Sequence, residues 1–246
     1  YQLPEYLKAN LKDNLRPYQE EALRYFYYSQ FKQEIADRNY KHLLFNMATG
    51  SGKTMVMAGA ILYMFKEYGY QNFIFFVHTD AIIQKIKENL LNTLSSKYLF
   101  TQSLEIEGER IVIESVDTFP RQPSKNTIYL KLSTIHKIHD EINKTKENSI
   151  TLEDLAEIPL VLLGDEAHHF NAETRSRATL TTQEKEKLSW ERTIEQILAL
   201  QDKNRLLEFT ATINLDNRDI YQKYKDKIVY QYDLKKFMTD GFSKKV

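Results

Sequence analysis

Cysteine is absent from the 246-residue chain, glycine occurs seven times, proline five times and tryptophan once. Without cysteine there is no disulfide, no thiolate metal ligand and no thiol redox chemistry, which suits a reducing compartment. Lysine plus arginine and aspartate plus glutamate both number 34, so the formal net charge is zero. A nucleic-acid partner would have to be drawn by a local patch and not by overall charge. No apolar run reaches the roughly 18 residues of a membrane helix, and the opening YQLPEYLKAN lacks the charged-then-apolar order of a signal peptide. The expected location is therefore the cytoplasm. The chain opens on Tyr1 and not on methionine, so it is expected to be a piece of a longer protein. What the chain does have is 42% hydrophobic residues, with 16 tyrosines and 13 phenylalanines. That is enough for a sizeable core in one large α/β domain or two small ones.

Short apolar runs alternate with helical patterns, the signature of a parallel sheet with crossover helices. The predicted strands are HLLFNM (42–47), FIFFV (73–77), IVIES (111–115), TIYLKLS (127–133), LVLLG (160–164) and LLEFTA (206–211). A first helix is predicted from Pro17, since proline is tolerated at the first helical position, through YQEEALRYFYYSQFKQEI. A second covers 79–94, with Thr79 as cap and Ile82, Ile83, Ile86, Leu90, Leu91 and Leu94 at helical spacing. The polar stretch 171–189 has no period and reads as a mobile surface loop.

Two of the seven glycines stand together in TGSGKT (49–54), between the strand HLLFNM and the helical pattern KTMVMAGAILYMF. Gly50 and Gly52 let the backbone turn so that successive N–H groups point at phosphate oxygens, and a helix starting near Lys53 adds its positive end. Lys53 can then reach the β- and γ-phosphates, and the Thr54 hydroxyl is suited to Mg²⁺. Met47 stands where the general GxxxxGK[ST] pattern has glycine. A turn that needs glycine for geometry alone would explain this loop taken singly.

LVLLGDEAHHF (160–170) adds an apolar strand that ends in two carboxylates. Acids at the C-terminal edge of a strand face the crevice where α/β sheets bind ligands. If this strand neighbours the phosphate-loop strand, Asp165 would hold the metal and Glu166 would orient and deprotonate the attacking water. The histidines 136, 139, 168 and 169 do not make a zinc site: no cysteine accompanies them, and histidines at such spacing on a surface helix are commonly solvated.

In order along the chain, ATGSGKT (48–54), DEAH (165–168) and FTATI (209–213) resemble motifs I, II and III of superfamily 2 helicases and translocases, with RPYQ (16–19) as the upstream adenine-reading element. The chain is more similar still to the Res subunits of type III restriction-modification enzymes and their relatives, in which methionine commonly precedes ATGSGKT. Met47 is then expected and not a defect. VHTDAIIQKIKENL (77–90), LSTIHKI (132–138), GDEAHHFN (164–171), LEFTATI (207–213) and YDLKKFMTDGFSKKV (232–246) extend the likeness over nearly the whole chain. His78 departs from it, because proline is frequent at that place.

The resemblance implies an α/β, RecA-like P-loop NTPase domain, a mostly parallel central sheet with helices on both faces, that uses ATP and Mg²⁺. It implies a helical segment 1–40 carrying the adenine reader, the ATPase domain over 41–230, and the start of a connection to a second motor domain over 231–246. Residue by residue, it implies adenine recognition by Gln19 with Arg16 nearby, phosphate and Mg²⁺ binding by Thr49, Gly50, Ser51, Gly52, Lys53 and Thr54, and catalysis by Lys53, Asp165 and Glu166. His168 would link the nucleotide site to Thr210 and Thr212, which couple hydrolysis to strand movement. Thr79 and Thr134 fall where nucleic-acid backbone is contacted, a plain helix cap being the alternative at either position. The implied partners are duplex DNA, through the full-length protein, and a modification methyltransferase subunit.

Motors of this kind have two RecA-like domains, the second supplying an arginine finger. Residues 214–246 are too few for that domain, and no Pro-Asp dipeptide of the associated nuclease occurs anywhere. Two rival expectations stand beside the restriction motor. One is a DNA or RNA helicase of another superfamily 2 branch. The other is a nucleotide-dependent binding module without turnover, against which Glu166 argues, because a pure binder needs no base.

Overall fold

The apolar runs fold as strands, and burial explains their composition. All six residues of 42–47 and all six of 72–77 are buried, as a parallel sheet covered on both faces requires. The structure, a computed structural model, describes residues 2–31, 41–143, 150–167 and 182–242. Helices α1 (Glu5–Asn10) and α2 (Pro17–Phe31) precede strand β1 (His42–Met47), α3 (Lys53–Tyr68), β2 (Asn72–Val77) and α4 (Asp80–Leu90). A small antiparallel pair follows, β3 (Glu105–Ile106) with β4 (Glu109–Arg110), and then β5 (Val112–Ser115), β6 (Thr127–Thr134), α5 (Ile135–Asn143) and α6 (Leu152–Ala156). The described chain ends with β7 (Leu160–Asp165), α7 (Thr182–Ala199), β8 (Arg205–Thr210), α8 (Arg218–Tyr224), β9 (Ile228–Tyr232) and α9 (Leu234–Thr239).

Seven strands make one sheet in the order β5-β6-β2-β7-β8-β1-β9, each pair parallel. Successive strand residues point to opposite faces. Phe45, Met47, Phe73, Phe75 and Leu163 therefore join one core with α1 to α4, while Leu44, Ile74, Phe76 and Leu162 join another with α5 to α8. The rings of Phe45 and Phe209 stack at 4.4 Å and 2°, tying β1 to β8. Helices thus cover both faces of a parallel sheet, as expected. No helix among the described residues is long and apolar enough to cross a membrane.

Several expectations need correction. The acidic strand β7 does not neighbour the phosphate-loop strand β1, because β8 lies between them. The Thr79 side chain makes no capping hydrogen bond, and α4 stops at Leu90, so that Leu94 lies beyond the helix and is 92% exposed. Residues 182–189, predicted as loop, form the first turns of α7. Gln, Glu, Lys and Leu favour helix without any apolar period, and the buried residues Ile194 and Ile197 come later. The strand β9 was not predicted, and it runs across the boundary expected between 230 and 231 as the seventh strand of the sheet.

Candidate nucleotide site

At the C-terminal end of β1 the chain turns sharply into α3. Ala48 N–H donates to the Tyr232 carbonyl of β9 at 2.8 Å, and Ser51 N–H donates back to the Ala48 carbonyl at 3.1 Å. Gly50 and Gly52 sit at φ 80° and 81°, a left-handed conformation that costs other residues roughly 1–2 kcal/mol. Gly52 is also the N-cap of α3 and has no side chain to cap it, so the first N–H groups of a sixteen-residue helix are left for another acceptor. Ser51 is fully buried, and its Oγ finds no hydrogen-bond partner among the described residues. A loop with these unmet donors suits an anion.

Gln19 reaches this loop from α2. The Tyr18 ring stacks on Tyr232 at 4.3 Å, which fixes the first turn of α2 against β9. From there Gln19 Nε2 donates to the Ser51 carbonyl at 2.8 Å, while its Oε1 accepts from Arg16 N–H at 2.9 Å. Arg16 Nη1 donates to Tyr18 Oη at 3.0 Å. The adenine-reading residues predicted from RPYQ therefore sit against the phosphate loop.

The acids arrive from β7. Asp165 ends that strand, and its Oδ1 accepts the Glu166 N–H at 3.0 Å. Burial pushes the Asp165 carboxyl up to about 6; the Lys53 ammonium opposes this and the neighbouring Glu166 adds to it. Glu166 sits at φ 54°, one of two non-glycine residues described with positive φ, the kind of backbone outlier that concentrates at functional sites. Lys53 is 8% exposed, and its Nζ lies 3.2 Å from Glu166 Oε1. The intervening β8 does not keep these groups apart, because Lys53 and Glu166, which follow β1 and β7, meet across it.

A cavity of about 500 Å³ collects them: Arg16, Gln19, Thr49, Gly50, Ser51, Gly52, Lys53, Thr54, Asp165 and Glu166 all line it. Lys85, Asn89, Asp13 and Asn14 line it too. These were missed from the sequence, although Lys85 and Asn89 were visible as polar positions one turn apart within the apolar period of α4.

The remaining expected residues lie outside this cavity. Thr79 is exposed at the N-cap of α4. Thr134 is 6% exposed, and its Oγ1 accepts the Lys137 N–H of α5 at 3.2 Å, so its hydroxyl caps a helix. Thr210 and Thr212 form a local turn: Thr210 Oγ1 donates to the Thr212 carbonyl at 2.8 Å and faces Thr212 N–H at 3.3 Å. His168, expected to link them to the acids, lies outside the described residues.

The fold resembles that of two solved structures. The Sulfolobus solfataricus SWI2/SNF2 ATPase core in complex with dsDNA aligns over 89% of this chain and 36% of its own, at 16% identity and TM-score 0.51. The DUF1998 helicase MrfA aligns over 90% of this chain and 30% of its own, again at 16% identity and TM-score 0.51. At such identity the likeness is one of fold, that of the RecA-like domain. In sequence, the chain is 37% identical to the probable type III restriction-modification enzyme HindVIP Res subunit of Haemophilus influenzae, across 100% of this chain and 51% of that protein. It thus spans about half the length of the curated relative it matches. The pattern of the family described as type III restriction enzyme, res subunit, matches residues 12–215, and with that match over most of its length the chain belongs to this family.

Proposed function

We propose that this chain binds ATP with Mg²⁺ and hydrolyses it, as the first motor domain of a restriction translocase that acts on duplex DNA together with a modification methyltransferase subunit. The observation that carries the reading is the meeting of Lys53 and Glu166 at 3.2 Å on a cavity that also holds Thr54, Asp165 and Gln19.

The chemistry follows from the residues. Backbone N–H groups of the loop and of the first turn of α3 bind phosphate oxygens, and Lys53 exchanges its contact with Glu166 for one with the terminal phosphates. Release from Lys53 frees the Glu166 carboxylate to accept a proton from water aligned on the terminal phosphorus. Gln19, held by Arg16 and Ser51, orients the base. A magnesium ion supplies positive charge against the phosphate oxygens, and the Thr54 hydroxyl and the Asp165 carboxylate are the groups that would hold it. No cluster of three His, Cys, Asp or Glu stands ready among the described residues, which suits an ion that keeps waters and phosphates as its other ligands. Thr79, exposed at the head of α4, is the contact proposed for the nucleic-acid backbone. Thr134 is the second contact proposed, since its Oγ1 accepts the Lys137 N–H and keeps its own O–H to donate, with His136 and Lys137 exposed beside it. Thr210, Thr212 and His168 are proposed to pass the state of the nucleotide to the strand-moving parts.

Glu166→Gln tests the assignment in the full-length protein. The variant keeps the shape of the side chain, so ATP affinity is expected to persist while turnover falls by about 10²–10⁴-fold. Unchanged turnover would show that the base is elsewhere. Unchanged ATP binding with no turnover even in the wild type would support the binding module instead.

A further inference from the structure

Helix α4 lines the nucleotide cavity with two residues, Lys85 and Asn89, one helical turn apart. Lys85 is exposed and has no ion pair or hydrogen bond among the described residues. Other cations around this helix do find acids: Lys97 pairs with Glu88 at 2.8 Å and Lys137 with Asp80 at 2.6 Å. Lys85 lines the same cavity as Lys53, Asp165 and Glu166. Asn89 is only 7% exposed, yet its side-chain amide has no partner among the described residues. Such a group, lining a cavity, is open to a hydrogen-bonding ligand.

Backbone hydrogen bonds tie Asn89 to one end of the site. The Asn89 carbonyl accepts Leu99 N–H at 2.9 Å, and the Leu99 carbonyl accepts Lys12 N–H at 2.9 Å, so Asn89 is stitched to the segment that leads to Asp13, Asn14 and Arg16. That is the end where Gln19 stands. Four residues of helix separate Lys85 from Asn89 by about 6 Å along the axis, enough to address two parts of one nucleotide.

We propose that α4 is a second nucleotide-binding wall, in which the Lys85 ammonium contacts oxygens of the terminal phosphates and the Asn89 amide hydrogen-bonds the nucleoside. The inference rests on the nucleotide-site reading above. It adds a cation on the phosphates that belongs neither to the glycine loop nor to a second domain.

Competitive displacement of a fluorescent ATP analogue by Mg-ATP and by AMP, from the 246-residue chain, tests it. Lys85→Gln is expected to weaken ATP about fivefold to tenfold and leave AMP unchanged, while Lys85→Arg restores most of the loss. Asn89→Ala is expected to weaken ATP and AMP alike, by about fivefold. An ATP-to-AMP ratio in Lys85→Gln equal to that of the wild type would overturn the phosphate assignment, and unchanged AMP affinity in a folded Asn89→Ala would overturn the nucleoside one. Should Asn89→Ala fail to fold, Asn89→Ser, which shortens the side chain and removes the amide, is measured in its place and is expected to weaken ATP and AMP alike by about twofold to fivefold, unchanged AMP affinity overturning the assignment. Lys53→Ala separates the two levels. If it weakens ATP while Lys85→Gln leaves the ratio alone, only the α4 wall falls; if the wild type itself binds no ATP, the site reading falls first.

Discussion

The Gln19 side-chain amide donates to the carbonyl of Ser51 at 2.8 Å, and the space beside it exists only because residue 52 is glycine. A Cβ at Gly52 would lie 2.4 Å from Gln19 Nε2, whereas one at Gly50 would meet nothing within 4 Å. Both glycines have positive φ, so Gly50→Ala is expected to cost about 1–2 kcal/mol through backbone strain alone. Gly52→Ala adds the displacement of Gln19 and the loss of its hydrogen bond, about 1 kcal/mol more. Urea denaturation of both variants checks the difference, and Gln19→Ala should remove most of the excess at Gly52. Equal losses at the two glycines would mean that Gln19 yields without cost.

A second expectation concerns acid. Glu208 is 2% exposed in the middle of β8, and its Oε2 meets His42 Nε2 at 2.6 Å and accepts the Tyr224 hydroxyl at 2.8 Å. Burial alone would raise its pKa, but the charge and hydrogen bond of His42, helped by Lys223 and Tyr224, hold it down at about 2. A carboxyl depressed in the folded state contributes stability that is present above its unfolded pKa and is lost as pH falls through the folded one. The window is therefore from about 4.5 down to about 2. Glu208→Gln is expected to cost on the order of 3 kcal/mol at pH 6, because it leaves buried partners without their anion. The gap from the wild type should narrow as pH drops through that window. A gap that stays constant between pH 6 and pH 2.5 would show that the pair does not set the acid response.

Gly164 precedes Asp165 on β7, and here sterics alone require glycine. A Cβ would lie 2.9 Å from the Phe76 ring of β2. Overpacking of this kind costs about 1–3 kcal/mol, so the urea midpoint of Gly164→Ala should fall. Phe76→Leu in the same chain should recover part of the loss, and a double variant less stable than Gly164→Ala would show that the ring is not the obstacle.

The central strands were legible because both faces of the sheet are covered there, so that they appear as mostly apolar runs such as HLLFNM or FIFFV. Their order was not. Nothing local in HLLFNM or LVLLGD says that Arg205–Thr210 pairs between them, since strand pairing is decided by contacts far apart in the chain. The phosphate loop could be read because Gly50, Gly52 and Lys53 stand together, and the acids because they end an apolar run. Lys85 and Asn89 escaped because their part in the site comes from the fold, which lays α4 beside the cavity, and not from a local pattern. The first turns of α7 and the strand β9 escaped for opposite reasons. One is too polar to show a period, and the other, IVYQY, is short and mixes polar with apolar residues at the edge of the sheet.

The central claim is that the loop from Thr49 to Thr54, with Lys53 beside Glu166, is a nucleotide site, and the most direct measurement is calorimetric titration of Mg-ATP into the wild-type chain and into Lys53→Ala. Removing the ammonium eliminates a charge-assisted contact of about 1.5–3 kcal/mol, so the expected result is saturable binding by the wild type and an affinity about ten- to a hundredfold weaker in the variant. Equal affinity in the two proteins would contradict the account.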